Sequence, residues 1–378
     1  MARAPAVAEV EALPEADRLD GFPHPRETRK LFGHEEAERT LADALTSGRV
    51  HHAWILGGPQ GIGKATLAYR FARAALASPN ERAAGGATLS IADDTRAARQ
   101  VRALSHPGLL VLRRPYDEKN KRFASAIPVD EVRRLRSFLQ HRATDEGWRV
   151  VIVDDANELN VNAANALLKS LEEPPQRTIF LLVASAPGQL LATIRSRCRV
   201  LPLYPLASEP LRRAAAQALE AVGQSLPEDS EWPALERIAE GSVGRLLGLL
   251  GSGGIEFNER IAGLLASLPR VDWRSVHALS DELSPVAAQA RFELFFDLLS
   301  GSLERLIRTQ ATGQGSRADT ELAARLIGED RLASFAALWE RIGRDKAATM
   351  ALNLDRKALI LDIVGALATA AAQHGKPA

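Results

Sequence analysis

The sequence predicts an α/β domain built on a five-stranded parallel sheet, then a small helical domain and a larger all-α domain. Three observations carry that reading. Five short apolar runs lie within residues 50–204: 53–56 (AWIL), 109–112 (LLVL), 150–153 (VVIV), 179–183 (IFLLV) and 200–203 (VLPL). Near-continuous apolar strands belong to a parallel sheet covered by helices on both faces, whereas a half-exposed sheet alternates polar and apolar residues. A glycine-rich turn, GGPQGIGK, ends the first run and opens a helical stretch. After the glycine run at 251–254 the pattern is helical to the end.

Residues 1–25 are rich in Ala, Pro and acid, without the basic start and apolar run of a secretory signal, and are expected to form a mobile tail. The α/β core is expected over 26–205. Between the second and third runs, Val129, Val132, Leu135 and Leu139 share one helical face. Between the third and fourth, Ala164, Leu167, Leu168 and Leu171 do the same. That helix should start at Asn160 as cap and stop before Pro174 and Pro175, which cannot continue it. Pro202 and Pro205 close the sheet. Short helices follow over 206–254, one of them capped by Ser242, and GSGG at 251–254 reads as a flexible hinge. The last domain, 255–378, carries the stripe Phe292, Phe295, Phe296, Leu299, Leu303 and Leu306, which reads as core packing rather than a ligand pocket. The stretch ALILDIVGALATAAA comes closest to a membrane span, but Asp362 interrupts it.

Hydrophobic residues at 46% and charged residues at 25% are ordinary for a soluble chain, and a net charge of +1 gives no global attraction to nucleic acid or anionic lipid. The single cysteine, Cys198, excludes an internal disulfide framework and a four-cysteine zinc module; it reads as a small buried apolar residue, and the absence of cystines fits the cytoplasm. His106 reads as a loop residue before the second strand, and His34 as the entry to the first helix, neither as a metal ligand. No metal site and no membrane partner are expected.

The turn Gly58-x4-Gly63-Lys64 sits between strand and helix, where glycines let backbone N–H groups wrap an anion and the helix N-terminus and the lysine add positive charge. Hydrolysis asks for more. Magnesium is normally held by a hydroxyl next to the lysine, where this chain has Ala65. Thr66 is rotated by about 100° around the helix and so aims elsewhere. After the third run, Asp154 could orient a metal through water. Asp155 stands where a Glu would activate the attacking water, and is one methylene shorter. The expectation is a phosphate cradle that has lost its own hydrolysis, with ATP binding at most vestigial and no cofactor required.

GPQGIGK, VVIVDDANEL, NALLKSLEEPP and IRSRC, in that order and spacing, resemble the clamp-loader branch of the AAA+ family; SRC and LLKSLEEPP are its specific parts. The resemblance covers roughly 30–250, GSVGR matches the second-sensor region of the lid, and the rest fits the helical collar by pattern. It implies an AAA+ P-loop core over 26–205, a lid over 206–254 and a collar for oligomerisation over 255–378. Residues Gly58, Gly61, Gly63, Lys64, Ala65, Thr66, Asp154, Asp155, Ser185 (first sensor) and Arg245 (second sensor) would line a degenerate nucleotide site. Arg197, in SRC, would be an arginine finger projecting into a neighbouring subunit's ATP site. The degraded magnesium position implies a non-hydrolysing stator in a hetero-oligomeric ring with gamma/tau-type motor subunits and a delta subunit. The sliding clamp and primed DNA would be met through the assembly. Zinc-bearing relatives insert four cysteines between the loop helix and the second strand; none is present here, so no zinc is expected. The rival reading makes this chain an ATP-hydrolysing motor, or another AAA+ ATPase.

Overall fold

The structure is a computed structural model and describes residues 13–82, 88–140, 147–251, 254–352 and 354–372. The chain divides into two units between Leu247 and Gly248. In the first, α1 (Glu35–Thr46) leads to β1 (Ala53–Gly57), and the glycine turn feeds α2 (Lys64–Leu76). Then come α3 (Arg96–Arg102), β2 (Leu109–Leu112), a small hairpin of β3 (Tyr116–Asp117) and β4 (Arg122–Phe123), and α4 (Val129–Gln140). The sheet resumes with β5 (Arg149–Val153), α5 (Val161–Glu172), β6 (Thr178–Ala184), the one-turn α6 (Ala192–Arg195) and β7 (Arg199–Pro202).

The five main strands are parallel in the order β2-β5-β6-β1-β7. Gly57 at the end of β1 lies beside Ala184 and Pro202, so the turns that carry the candidate site gather at the carboxyl edge of the sheet. Every residue of β1 and β6 is buried. The reason is visible in the two core layers. Trp54, Leu56, Ile152 and Leu181 face Leu67 and Phe71 of α2, while Ile55, Val153, Phe180 and Leu182 face Leu135 of α4 and Leu167 of α5. With helices on both faces no strand residue needs to be polar, and the runs read as unbroken. Asn160 caps α5, its side chain accepting from the Ala163 N–H at 2.8 Å.

Three helices follow the sheet: α7 (Ser208–Glu220), α8 (Trp232–Ala239) and α9 (Val243–Gly251). The division between the units falls inside α9 rather than at the glycine run. Gly251 ends α9 and Gly254 opens α10; residues 252–253 of the expected hinge lie outside the described residues.

The second unit is all-α: α10 (Gly254–Ser267), α11 (Trp273–Leu283), α12 (Gln289–Thr312), α13 (Arg317–Leu326), α14 (Leu332–Leu352) and α15 (Arg356–Ala372). The phenylalanine–leucine stripe of α12 is buried core. Among the described residues no helix is long and apolar enough to cross a membrane, and no group of three His, Cys, Asp or Glu could hold a metal ion.

The expected mobile tail is corrected over its described part; residues 1–12 lie outside the described residues. Phe22 and His24 are buried. Asp17 meets His24 Nε2 at 2.9 Å and Arg113 Nη1 at 2.7 Å, and Glu15 meets Arg113 Nη2 at 2.6 Å and Arg26 Nη1 at 2.7 Å. Charges that look like solvation in the sequence instead strap residues 15–26 against α2 and the end of β2. Arg26 Nε also donates to the Arg102 carbonyl at 2.8 Å, which fastens the strap to α3.

Candidate nucleotide site and arginine surface

The glycine turn adopts the left-handed backbone that only glycine takes without strain: Gly61 has φ +75° and Gly63 φ +109°. A Cβ on Gly61 would also lie 2.5 Å from Ser242 Oγ. Lys64 is buried, and its Nζ donates to the carbonyls of Gly58 at 2.7 Å and Pro59 at 2.6 Å. Burial pulls its pKa below the ordinary lysine value, against the opposing charges of Asp155 and Asp154. The next three carbonyls are held from outside the loop. Ser242 Oγ donates to Gln60 at 2.9 Å, the Gly244 N–H to Gly61 at 2.9 Å, and His34 Nε2 to Ile62 at 2.7 Å. A carbonyl only accepts, so His34 carries its proton on Nε2. Burial holds the His34 pKa below the usual imidazole value, although the Ile62 bond favours the proton. The phosphate-loop backbone is thus clamped between the start of α1 and the start of α9.

The residues at the expected catalytic positions are held in different ways. Ala65 offers no hydroxyl, and Thr66 is buried in α2. Asp154 is buried, and its Oδ2 has no hydrogen-bond partner. Burial, followed by the charges of Asp17 and Asp155, pushes its pKa well above the carboxylate range, and Lys64 offsets only part of this. Asp155 uses both oxygens on backbone: Oδ1 accepts from the Asn157 N–H at 2.9 Å and Oδ2 from the Ser185 N–H at 3.1 Å. Asn157 in turn accepts from the Ala186 N–H at 3.0 Å and, more loosely, from Ser185 Oγ at 3.4 Å. Together they staple the end of β5 to the end of β6. Arg245 turns to Glu240, just before its own helix α9, Nη1 to Oε2 at 2.6 Å. This donor set does not fit a magnesium–triphosphate centre. The hydroxyl is missing and Asp155 is committed to structure, which leaves the unpartnered oxygen of Asp154 as the one buried carboxylate group facing no donor among these residues.

Arg197 follows α6. Its guanidinium has partners within the chain. Nη2 lies 2.6 Å from Glu172 Oε1 at the end of α5, and Nη1 donates to the Thr193 carbonyl at 2.9 Å. The side chain nevertheless remains 34% exposed, so it lies on the surface rather than in the interior. Arg195 donates to the Gly188 carbonyl at 2.9 Å, and Arg199 lies over Trp54, 5.0 Å from the ring centroid. Cys198 packs against the α4–α5 core layer, and burial pushes its thiol up to about 12.

The model of the family described as DNA polymerase III, delta subunit, matches residues 33–207. DNA polymerase III subunit delta' of Pseudomonas aeruginosa is 34% identical over 280 residues, covering 74% of this chain and 79% of that protein. The Escherichia coli subunit delta' is 35% identical over 268 residues, covering 70% and 73%. This chain belongs to the delta' family of DNA polymerase III clamp-loader subunits. Subunit gamma/tau of Mycobacterium bovis is 30% identical over 226 residues, 60% of this chain and 37% of that protein.

Within this delta' family member, Gly58, Gly61, Gly63, Lys64, Asp154, Asp155 and Ser185 gather at one sheet edge, and Arg245 lies in α9, whose start touches the loop. Arg197 lies before β7, beyond α6. Four contributors were missed from sequence: His34, Gly244 and Asn157 as backbone anchors, and Glu172 as the partner of Arg197. Asn157 lies two residues after Asp155, and an Asx turn from that aspartate was a readable signal. The other three meet groups distant in the chain and carry no local signature.

Proposed function

We propose that this chain is the non-hydrolysing stator of a replicative clamp loader. It takes its place in a hetero-oligomeric ring with gamma/tau-type ATPase subunits and a delta subunit, in the bacterial cytoplasm. There it presents Arg197 to the ATP site of the subunit beside it while the sliding clamp is loaded onto primed DNA. The observation that carries the reading is the paired loss in its own site: no hydroxyl follows Lys64, and both oxygens of Asp155 are bound to backbone. Those two amide bonds fix the Asp155 carboxylate in place and make it a weaker acceptor for the proton of an attacking water.

Arg197 supplies what the neighbour's site requires in trans. A guanidinium against the γ-phosphate neutralises charge that grows in the transition state, an effect of about 10³–10⁵ in rate. The clamped loop gives the stator its stiffness: lid and core are joined through Gln60 and Gly61, and Ile62 is held by His34 within the core, so the subunit presents a fixed surface. Any nucleotide at Lys64 is structural and is not turned over. DNA is met by the assembly through its phosphates, without base readout.

The test is turnover by the purified chain with magnesium and ATP. The proposal expects no magnesium-dependent hydrolysis above buffer. A steady rate of about 1 s⁻¹, the low end of ordinary enzyme turnover, overturns it in favour of a motor subunit.

A further inference from the structure

Glu172 and Glu173 stand together where α5 ends, Glu172 as its last residue and Glu173 as its C-cap. The end of a helix carries partial negative charge, so two acids there are electrostatically unfavourable unless a cation offsets them. Arg197 is that cation for Glu172, Nη2 to Oε1 at 2.6 Å. The same guanidinium also reaches α6 and the residue after it, Nη1 donating to the Thr193 carbonyl at 2.9 Å and to Ser196 Oγ at 3.3 Å. The backbone beneath is fixed as well, since the Arg197 N–H bonds to the Ile194 carbonyl at 3.1 Å. Backbone position is therefore set, and the side chain alone is free to choose a partner.

We infer that Glu172 is a positioning residue that parks Arg197 on its own subunit until a neighbour's phosphate competes for it. This rests on the reading of Arg197 as the trans arginine. Two facts set the strength of the latch. The side chains are 34% and 49% exposed, so the pair is solvated and readily exchanged. A triphosphate carries several negative charges and meets the guanidinium in a site with less water, where charge interactions are stronger. The phosphate therefore wins in the closed ring, and Glu172 wins when the neighbouring site is open or empty. The latch keeps a bare guanidinium from engaging other anions and ties release of the finger to correct closure.

The experiment uses the full ring, reconstituted with its motor subunits, clamp and primed DNA, and measures ATP hydrolysis for the parent, Glu172→Gln, Arg197→Ala and the double variant. Glu172→Gln keeps the side-chain shape and removes the charge. The expected result is hydrolysis faster than the parent by about 1.5- to 5-fold, the span that an exposed ion pair allows, with no such gain in the Arg197→Ala background. Glu173→Gln, which leaves the pair intact, should match the parent. Unchanged or slower hydrolysis in Glu172→Gln, beside a slow Arg197→Ala, overturns the latch while leaving the finger in place. A gain that persists without Arg197, or that appears equally in Glu173→Gln, also overturns it, since it would reflect the charge of the helix end alone. Parental hydrolysis in Arg197→Ala refutes the finger itself and takes the latch with it.

Discussion

Replacing Arg113 with alanine removes a cation that two poorly accessible carboxylates share. Arg113 lies 2.6 Å from Glu15 and 2.7 Å from Asp17, whose side chains are only 11% and 4% exposed. Taking one partner from a fully buried ion pair costs about 3–5 kcal/mol. Here each carboxylate keeps a second donor, Arg26 for Glu15 and His24 for Asp17, so the expected loss is about 2 kcal/mol. The loss should appear as local opening of the strap. The Arg18, Phe22 and Glu27 amides, bonded to the Glu15, Leu19 and His24 carbonyls, report it by hydrogen exchange. They should exchange roughly thirtyfold faster, with α12 in the second unit unaffected.

The pH dependence has a definite sign. Burial alone would raise the pKa of both acids. Hydrogen bonds from Arg26 and Arg113 bring Glu15 below its ordinary value, and the bond and charge of His24 do the same for Asp17. Depressed carboxyl values mean stabilisation that is complete above the ordinary range near pH ~4 and lost as pH falls through the folded values. The difference between parent and variant should therefore be largest at neutral pH and shrink in acid. Equal exchange at neutral pH, or a difference that persists undiminished at the acid end, would refute the strap as described.

Three further outcomes follow from the same geometry. Ala65→Ser restores the hydroxyl but should yield no measurable ATP turnover, because Asp155 remains bound to the Asn157 and Ser185 amides; catalytic turnover in this single variant would contradict that assignment. Gly61→Ala forces a Cβ to within 2.5 Å of Ser242 Oγ and 3.0 Å of the Gly244 backbone, at a φ of +75°. It should destabilise the first unit by at least ~1–2 kcal/mol, and an unchanged melting temperature would show that lid and loop are not in contact. Cys198, with its thiol pushed up to about 12, should resist iodoacetamide at pH 8, where only about one part in 10⁴ is thiolate; labelling as fast as a free thiol would place it outside the core.

The parts of the fold that could be read from sequence share one physical cause: a local pattern with a single structural solution. Residues 179–183 read as a doubly covered strand because Phe180 and Leu182 enter one core layer and Ile179, Leu181 and Val183 the other. The bounds of α5 follow from the cap Asn160 and the stop at Pro174. The β3–β4 hairpin was not legible, since strands of two residues have no periodicity to detect. The strap was misread for a different reason. Acids and bases in EADRLDGFPHPRE satisfy an arginine 96 positions away from Asp17, and composition alone cannot distinguish that from solvation. In the candidate site, the glycines, Lys64 and the missing hydroxyl were legible as residue types. Their partners were not, because backbone carbonyls at 58–62 and the carboxylate of Glu172 are chosen by tertiary approach.

The central claim is that this subunit works on the ATP of the subunit beside it. The most direct measurement is single-turnover ATP hydrolysis at the adjoining site of a ring assembled with Arg197→Ala, with ring assembly checked by mass. The account predicts an intact ring whose adjoining site is slowed by at least about 10³-fold. An intact ring that hydrolyses at the parental rate would contradict it.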